Sequence, residues 1–302
     1  MQRSEGLALL CLALAIAALI TSLIDVPANS CAMTYMRPFY HPVPVPHAAW
    51  RTRTSYALYL YREGRSDQRV TGLPVLFIPG NAGSGKQVRS LGAQAHEDLE
   101  ELAQREGVHG GKAPAAKLDF WAVDFEEELS ALSGADLAAQ ARFVCNTIPF
   151  VLSQYDTAPR GVVVVGHSMG GIIARLVASP QYCHTHHSAY QAAGETSEDA
   201  LLHHVVAVFT IATPHVGLPV VADPLLRQIF AAGTSFWRSA FLADPNTTQA
   251  AGGRSPAAGV DDMVLVSLGG GERDILVGTE RCDVYQMCPA THCMSVSTTA
   301  LP

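Results

Sequence analysis

The stretch Val162-Val163-Val164-Val165-Gly166-His167-Ser168-Met169-Gly170-Gly171-Ile172-Ile173-Ala174-Arg175-Leu176-Val177 decides how this chain is read. Four successive valines suit a strand buried on both faces, since β-branched side chains pack well on a pleated backbone. The segment from Met169 to Ala178 reads as a helix. The turn between them has the pattern Gly-x-Ser-x-Gly, in which small residues two before and two after the serine let strand and helix approach closely. Such a turn holds its serine in a strained backbone conformation and exposes the hydroxyl at a helix N-terminus. The amide of Met169 is then ready to donate to an oxyanion. Ser168 is the expected nucleophile. The pattern alone is weak, because glycine and serine are common, and a plain structural turn is the alternative. The flanking strand and helix supply the context that the chemistry requires.

Outward from this turn, strand-like and helix-like segments alternate. Strands are expected at Tyr56 to Tyr61, Leu73 to Ile78, Lys117 to Val123, Gly161 to Gly166, His204 to Ile211 and Met263 to Leu268. Helices are expected at Lys86 to Gln104, Gly134 to Gln154, Met169 to Ala178 and Pro224 to Ala231. Alternation of this kind implies crossover units, hence an α/β domain whose sheet is mainly parallel with helices on both faces. Arg105 to Ala116, Thr185 to Glu198 and Ala243 to Gly259 are rich in small and polar residues and read as loops.

A second oxyanion donor should come from a glycine-rich loop after an earlier strand. Ile78-Pro79-Gly80-Asn81-Ala82-Gly83-Ser84-Gly85 is such a loop, and the backbone amide of Asn81 or Ala82 is the expected donor. The same residues offer a rival reading, since Gly80-x4-Gly85-Lys86 matches most of a phosphate-binding loop. Its last position fails: Gln87 stands where a serine or threonine would ligate magnesium. Val123-Asp124 is a poor candidate for the acidic magnesium partner. No nucleotide and no other cofactor is expected.

A serine nucleophile needs an orienting acid and a base, which in this type of hydrolase follow in the order Ser, Asp or Glu, His. Met263 to Leu268 leads into Gly269-Gly270-Gly271-Glu272-Arg273-Asp274, which makes Asp274 the expected acid, with Asp262, Glu272 and Asp223 as alternatives. After Asp274 the only histidine is His292, in a cysteine-rich segment. His215 breaks the chain order, and His167 reads as a structural or rim residue of the turn. His184, His186 and His187 read as solvated loop residues.

The net charge of −7 is spread without a basic stripe, so a nucleic-acid partner is not expected. Leu7 to Ile24 is uncharged and apolar, and as a helix would extend about 27 Å, close to the ~30 Å of a bilayer core. It reads as a membrane anchor, with a cleaved signal peptide as the alternative; either route delivers the rest of the chain to the secretory pathway. Arg37-Pro38-Phe39-Tyr40-His41-Pro42-Val43-Pro44-Val45-Pro46 reads as an extended arm between membrane and domain. Six cysteines remain outside the apolar stretch, an even set that suits an oxidising compartment, with the pairing open. Cys282, Cys288, Cys293 and His292 lack the paired short arms of a zinc module, and no metal is expected. Asn246-Thr247-Thr248 is a formal glycosylation acceptor.

Four further segments, together with the turn, resemble the GPI inositol-deacylases of the endoplasmic reticulum: Cys31-Ala32-Met33-Thr34-Tyr35-Met36-Arg37-Pro38; Pro79 to Ser84 with Lys86-Gln87-Val88-Arg89-Ser90-Leu91; Asp124-Phe125-Glu126-Glu127-Glu128-Leu129-Ser130-Ala131; and Ala212-Thr213-Pro214-His215. The resemblance runs from Cys31 to the end of the chain. It implies an α/β-hydrolase fold and an esterase that removes the acyl chain from the inositol of GPI-anchored proteins, acting at the membrane with its catalytic domain in the lumen. It maps the family's serine on Ser168 and its acid on Asp274. The family's histidine falls shortly past a segment similar to Ser295 to Pro302, so the hydrolase fold is expected to be incomplete at its C-terminal end. The expected organisation is an anchor over residues 1–24, a linker over 25–54 and a hydrolase domain over 55–302. A nucleotide-binding module and a non-catalytic lumenal binding protein are the competing classes.

Overall fold

The computed structural model of the chain describes residues 6, 10–16, 35–105, 117–177, 183, 204–217, 223–242, 263–270, 274, 277, 279–285 and 293–297. The chain divides into two compact units, Met1–Tyr35 and Met36–Pro302. In the first, residues 10–16 are helical and expose Leu10, Leu12, Leu14 and Ile16. No helix among the described residues is long and apolar enough to cross a membrane. Most of the expected anchor, Leu7 to Ile24, lies outside the described residues, as do Cys31, Cys288, His292, Asp262, Glu272, the histidines from 184 to 187 and Asn246.

The second unit is built on one eight-stranded sheet. Its strands are β1 (Pro38–Val43), β2 (Ala57–Glu63), β3 (Leu73–Ile78), β4 (Leu118–Asp124), β5 (Val162–His167), β6 (Val205–Ile211), β7 (Val264–Gly269) and β8 (Cys293–Ser297). They lie in the order β1-β2-β4-β3-β5-β6-β7-β8. The β1–β2 and β2–β4 pairs are antiparallel and every later pair is parallel. The helices among its described residues are α1 (His47–Trp50), α2 (Val88–Arg105), α3 (Gly134–Leu152), α4 (Met169–Val177) and α5 (Pro224–Leu242).

The central strands are apolar on both sides, and each side feeds a separate core. Leu76, Ile78, Trp121, Val123 and Val164 belong to a cluster shared with α3, α4 and α5. Their neighbours Val75, Phe77, Phe120, Ala122 and Val165 belong to a second cluster with Val88 of α2. This period-two division is what a continuous apolar run gives in a sheet covered on both faces. α3 begins at the N-cap Ser133, whose hydroxyl accepts from the Asp136 amide at 3.2 Å, and most of its residues are buried.

Two sequence expectations need correction. The proline-rich stretch is extended, but instead of linking membrane to domain it pairs along β2 from Pro38↔Glu63 to Val43↔Leu58. Its prolines are tolerated because β1 is an edge strand, where a missing donor costs no ladder bond. The following turn is also part of the domain, since Trp50 is buried against Phe143 and Phe150 with ring centroids 5.7 and 5.5 Å apart. The domain therefore starts before residue 55. The last helix runs on past Ala231 to Leu242, and Trp237, fully buried, donates from Nε1 to the Arg175 carbonyl at 3.0 Å. A strand at Cys293–Ser297, not anticipated from its short mixed sequence, adds to the parallel side of the sheet beside β7.

Candidate active site

β5 ends at His167 and α4 begins at Met169, which leaves Ser168 alone between them at φ 53°. The left-handed region costs a residue with a Cβ about 1–2 kcal/mol, so the surroundings must enforce it. They do so through both ends of the peptide unit. The Ser168 N–H donates to the Ile211 carbonyl at 2.8 Å, and the Ser168 carbonyl accepts from the Gly171 N–H and the Thr213 hydroxyl, each at 3.0 Å. Close approach does the rest. A Cβ on Gly166 would lie 2.5 Å from the Gly171 Cα, and one on Gly170 would strike the Ile78 carbonyl. The first helical amide of α4, Met169, has no acceptor four residues earlier in its own helix and is the donor that helix geometry leaves over at this turn.

The loop after β3 faces the same turn; a Cβ on Gly80 would come within 2.7 Å of the Ser168 Cβ. Ala82 is also left-handed, at φ 52°. Its amide donates to the Glu128 carbonyl at 3.0 Å. Of the two amides expected as the second oxyanion donor, Ala82's is thus committed elsewhere, whereas the Asn81 N–H has no hydrogen-bond partner among the described residues. The Asn81 side chain is held by accepting from the Ala131 N–H at 2.8 Å. Further along the loop, one carboxylate oxygen of Asp124 accepts from the Ser84 hydroxyl and the Gly85 amide, both at 2.9 Å. The Gly85 amide, a backbone donor that a phosphate would need, is therefore occupied by a carboxylate, which argues against the phosphate-loop reading and gives Asp124 a structural role.

Asn81, His167, Ser168, Met169, Pro214 and Asp274 line one cleft of about 420 Å³. Asp274 follows β7, and one of its oxygens accepts from the Val277 N–H at 2.8 Å. Its negative charge reaches two neighbours. Burial lowers the pKa of His167 and Asp274 partly offsets this. Burial raises the pKa of the Cys282 thiol, and Asp274 raises it further. Asp223, one of the alternative acids, instead accepts from the Gly134 amide at 2.6 Å and the Leu225 amide at 2.8 Å, tying the start of α3 to the start of α5. Those amides also hold its pKa below the ordinary carboxylate value.

His215 is fully buried, apart from the cleft lining. Arg175, which can only donate, approaches its Nδ1 at 3.4 Å, so Nε2 carries the proton and donates to the Thr210 hydroxyl at 2.8 Å. Burial, followed by the charge of Arg175, pushes its pKa well below the ordinary value, and the ring is neutral. Cys145 and Cys183 form a disulfide with Cα atoms 5.5 Å apart, while Cys11 and Cys282 are free thiols. Among the described residues no group of three or more His, Cys, Asp or Glu side chains is placed to hold a metal.

A mainly parallel sheet with an antiparallel second strand, a strained serine after β5 and a carboxylate after β7 in the same cleft defines an α/β-hydrolase. A family model described as a PGAP1-like alpha/beta domain matches residues 69–302, and the chain belongs to that family. It is 35% identical over 291 residues to a GPI inositol-deacylase of Phaeosphaeria nodorum, covering 91% of this chain and 25% of that protein. It is 32% identical over 293 residues to the GPI inositol-deacylase of Schizosaccharomyces pombe, covering 91% and 23%. The chain thus spans about a quarter of the length of these curated relatives. A solved structure of Thermogutta terrifontis esterase 2 phosphonylated by sarin is similar at a TM-score of 0.45 and 14% identity, covering 90% of this chain and 86% of that one.

Proposed function

We propose that this domain hydrolyses the acyl ester on the inositol of GPI-anchored proteins, with Ser168 as nucleophile and Asp274 as the orienting acid. The observation that carries the reading is the left-handed Ser168 sharing one cleft with Asp274, in a chain whose relatives are named GPI inositol-deacylases. Ser168 Oγ attacks the ester carbonyl carbon while a histidine takes the hydroxyl proton. The negative oxygen of the tetrahedral intermediate accepts from the Asn81 and Met169 amides. The inositol hydroxyl then leaves with the proton returned by the histidine, and water releases the fatty acid from the serine by the same steps. The base is a histidine that follows the acid in chain order, and Thr298 to Pro302, the residues after β8, hold none. That strand runs parallel to β7, in register from Leu265↔Cys293 to Gly269↔Ser297, so its end opens on the edge of the sheet that carries Ser168 and Asp274.

The substrate is a membrane lipid, so we place the domain in the lumen of the endoplasmic reticulum, held to the membrane by Leu7 to Ile24. Two features support this: the length and apolarity of that stretch, and the Cys145–Cys183 disulfide, which suits an oxidising compartment. The test is labelling of the full-length protein with a fluorophosphonate probe, alongside fatty-acid release from an inositol-acylated GPI lipid followed by mass spectrometry. Both signals are expected to fall at least about 10⁴-fold in Ser168→Ala. Labelling that survives in the variant removes Ser168 as nucleophile. Release from simple esters but not from the inositol-acylated lipid reassigns the domain as a general esterase.

A further inference from the structure

The loop between β4 and α3 is braced in a way that the hydrolytic steps above do not use. Glu126 and Glu127 are both left-handed, at φ 53° and 57°, and bring the Glu128 carbonyl to the Ala82 amide at 3.0 Å. The Glu128 carboxylate is mostly buried, with its side chain 20% exposed. One oxygen pairs with Arg53; the other accepts from the Tyr56 hydroxyl at 2.6 Å and from Gln140 Nε2 at 3.1 Å. Arg53 reaches on to Asp136 at 2.6 Å. Tyr56 is buried, and burial together with the neighbouring carboxylate keeps its hydroxyl protonated and donating.

Three non-glycine residues in the left-handed region, Ala82, Glu126 and Glu127, are retained only where contacts over-determine them. Glu128 is where those contacts converge: its main chain holds Ala82 and its side chain is held by α3 and by the segment between α1 and β2. If Ala82 relaxed to negative φ, the chain on either side would swing and Asn81 would shift from its place beside Met169 in the cleft lining. We propose that Glu128 is the positioning residue of the oxyanion hole: its carbonyl occupies the Ala82 amide, leaving Asn81 to serve the cleft, and its carboxylate, tied to Arg53, Tyr56 and Gln140, keeps that carbonyl in place.

The inference rests on the serine-hydrolase reading, and the experiment separates the two. Full-length protein is assayed on a p-nitrophenyl ester, with inhibition by a trifluoromethyl ketone that forms a tetrahedral adduct on the serine. An oxyanion contact is made only after attack, so its loss lowers kcat and not substrate affinity. Deleting one such donor costs about 10²–10³ in kcat; displacing one is expected to cost about tenfold. Glu128→Gln, which places an amide NH₂ against one of the two sets of donors, is therefore expected to lower kcat about tenfold, weaken the ketone in the same proportion and leave KM within about twofold. Tyr56→Phe, which leaves no buried donor unpaired, is expected to show the same pattern at about threefold, and it decides the matter if Glu128→Gln yields no folded protein. Folded variants with wild-type kcat and ketone affinity overturn the inference, as does a loss confined to KM. If Ser168→Ala retains the activity, the hydrolase reading itself fails; if Ser168→Ala abolishes it while both variants turn over normally, only the role of Glu128 fails.

Discussion

Ser168 is held in a conformation that serine avoids, by two accepted hydrogen bonds, one donated bond and glycines that leave no room for the chain to move away. Stability and activity are therefore opposed at this residue. Ser168→Gly removes the left-handed penalty and is expected to be more stable than Ser168→Ala by about 1 kcal/mol in urea denaturation, with both variants inactive. A second single-residue effect concerns His215. Its folded pKa lies well below the ordinary 6.5, so the unfolded chain binds the proton first and stability falls as pH drops through 6.5. Between pH 7.5 and 5.5 this residue is expected to lower the stability, measured as a shallower pH dependence of urea unfolding in His215→Gln. Ser168 could be read from sequence because every requirement of the turn is local. The choice between Asn81 and Ala82 could not, since it depends on the Glu128 carbonyl, which reaches Ala82 from a different crossover. The role of Asp124, a poor candidate for a magnesium partner, was hidden for the same reason: its carboxylate has its meaning only once Ser84 and Gly85 are beside it.

At the scale of elements, the six expected strands appear where alternating apolar runs put them, because burial on both faces leaves a continuous signature. β1 and β8 did not announce themselves. β1 carries prolines that weigh against a strand until an edge position is available, and β8 offers only five residues beside β7. The extension of α5 beyond Ala231 crosses Gly233-Thr234-Ser235, poor helix formers whose cost is offset by burying Trp237 against α4. The edge strand gives a clear test. A chain that begins at Ser55 loses β1 and Trp50, uncovering the β2 edge and a face of α3, and it is expected to aggregate. A chain that begins at Met36 keeps both and is expected to remain monodisperse in size-exclusion chromatography. The bond from the Tyr40 hydroxyl to the Lys86 carbonyl at 2.9 Å links this edge to the turn before α2, so losing β1 also loosens the exit from the loop after β3.

Across the whole molecule, one sheet places the loops after β3, β5 and β7 on a single rim, and that arrangement follows from parallel strands joined by crossovers. The order of those strands could not be read from sequence, since alternation fixes the class of sheet and not which strand lies beside which. Cysteine pairing was equally closed, because an even count leaves many connectivities open. With the Cys145–Cys183 pair given, a loop with a sequence separation of 38 predicts about 4 kcal/mol of stabilisation by the chain-entropy relation. Cys145→Ala/Cys183→Ala is expected to lower the urea midpoint accordingly. The bridge has a further effect of another kind. It closes a covalent ring through the end of α3, all of β5, Ser168 and all of α4. A single peptide bond cut within that ring leaves two pieces still joined through sulfur. Nicked protein should therefore migrate as one band on a gel until a thiol is added, with Ser168 tethered to the molecule throughout.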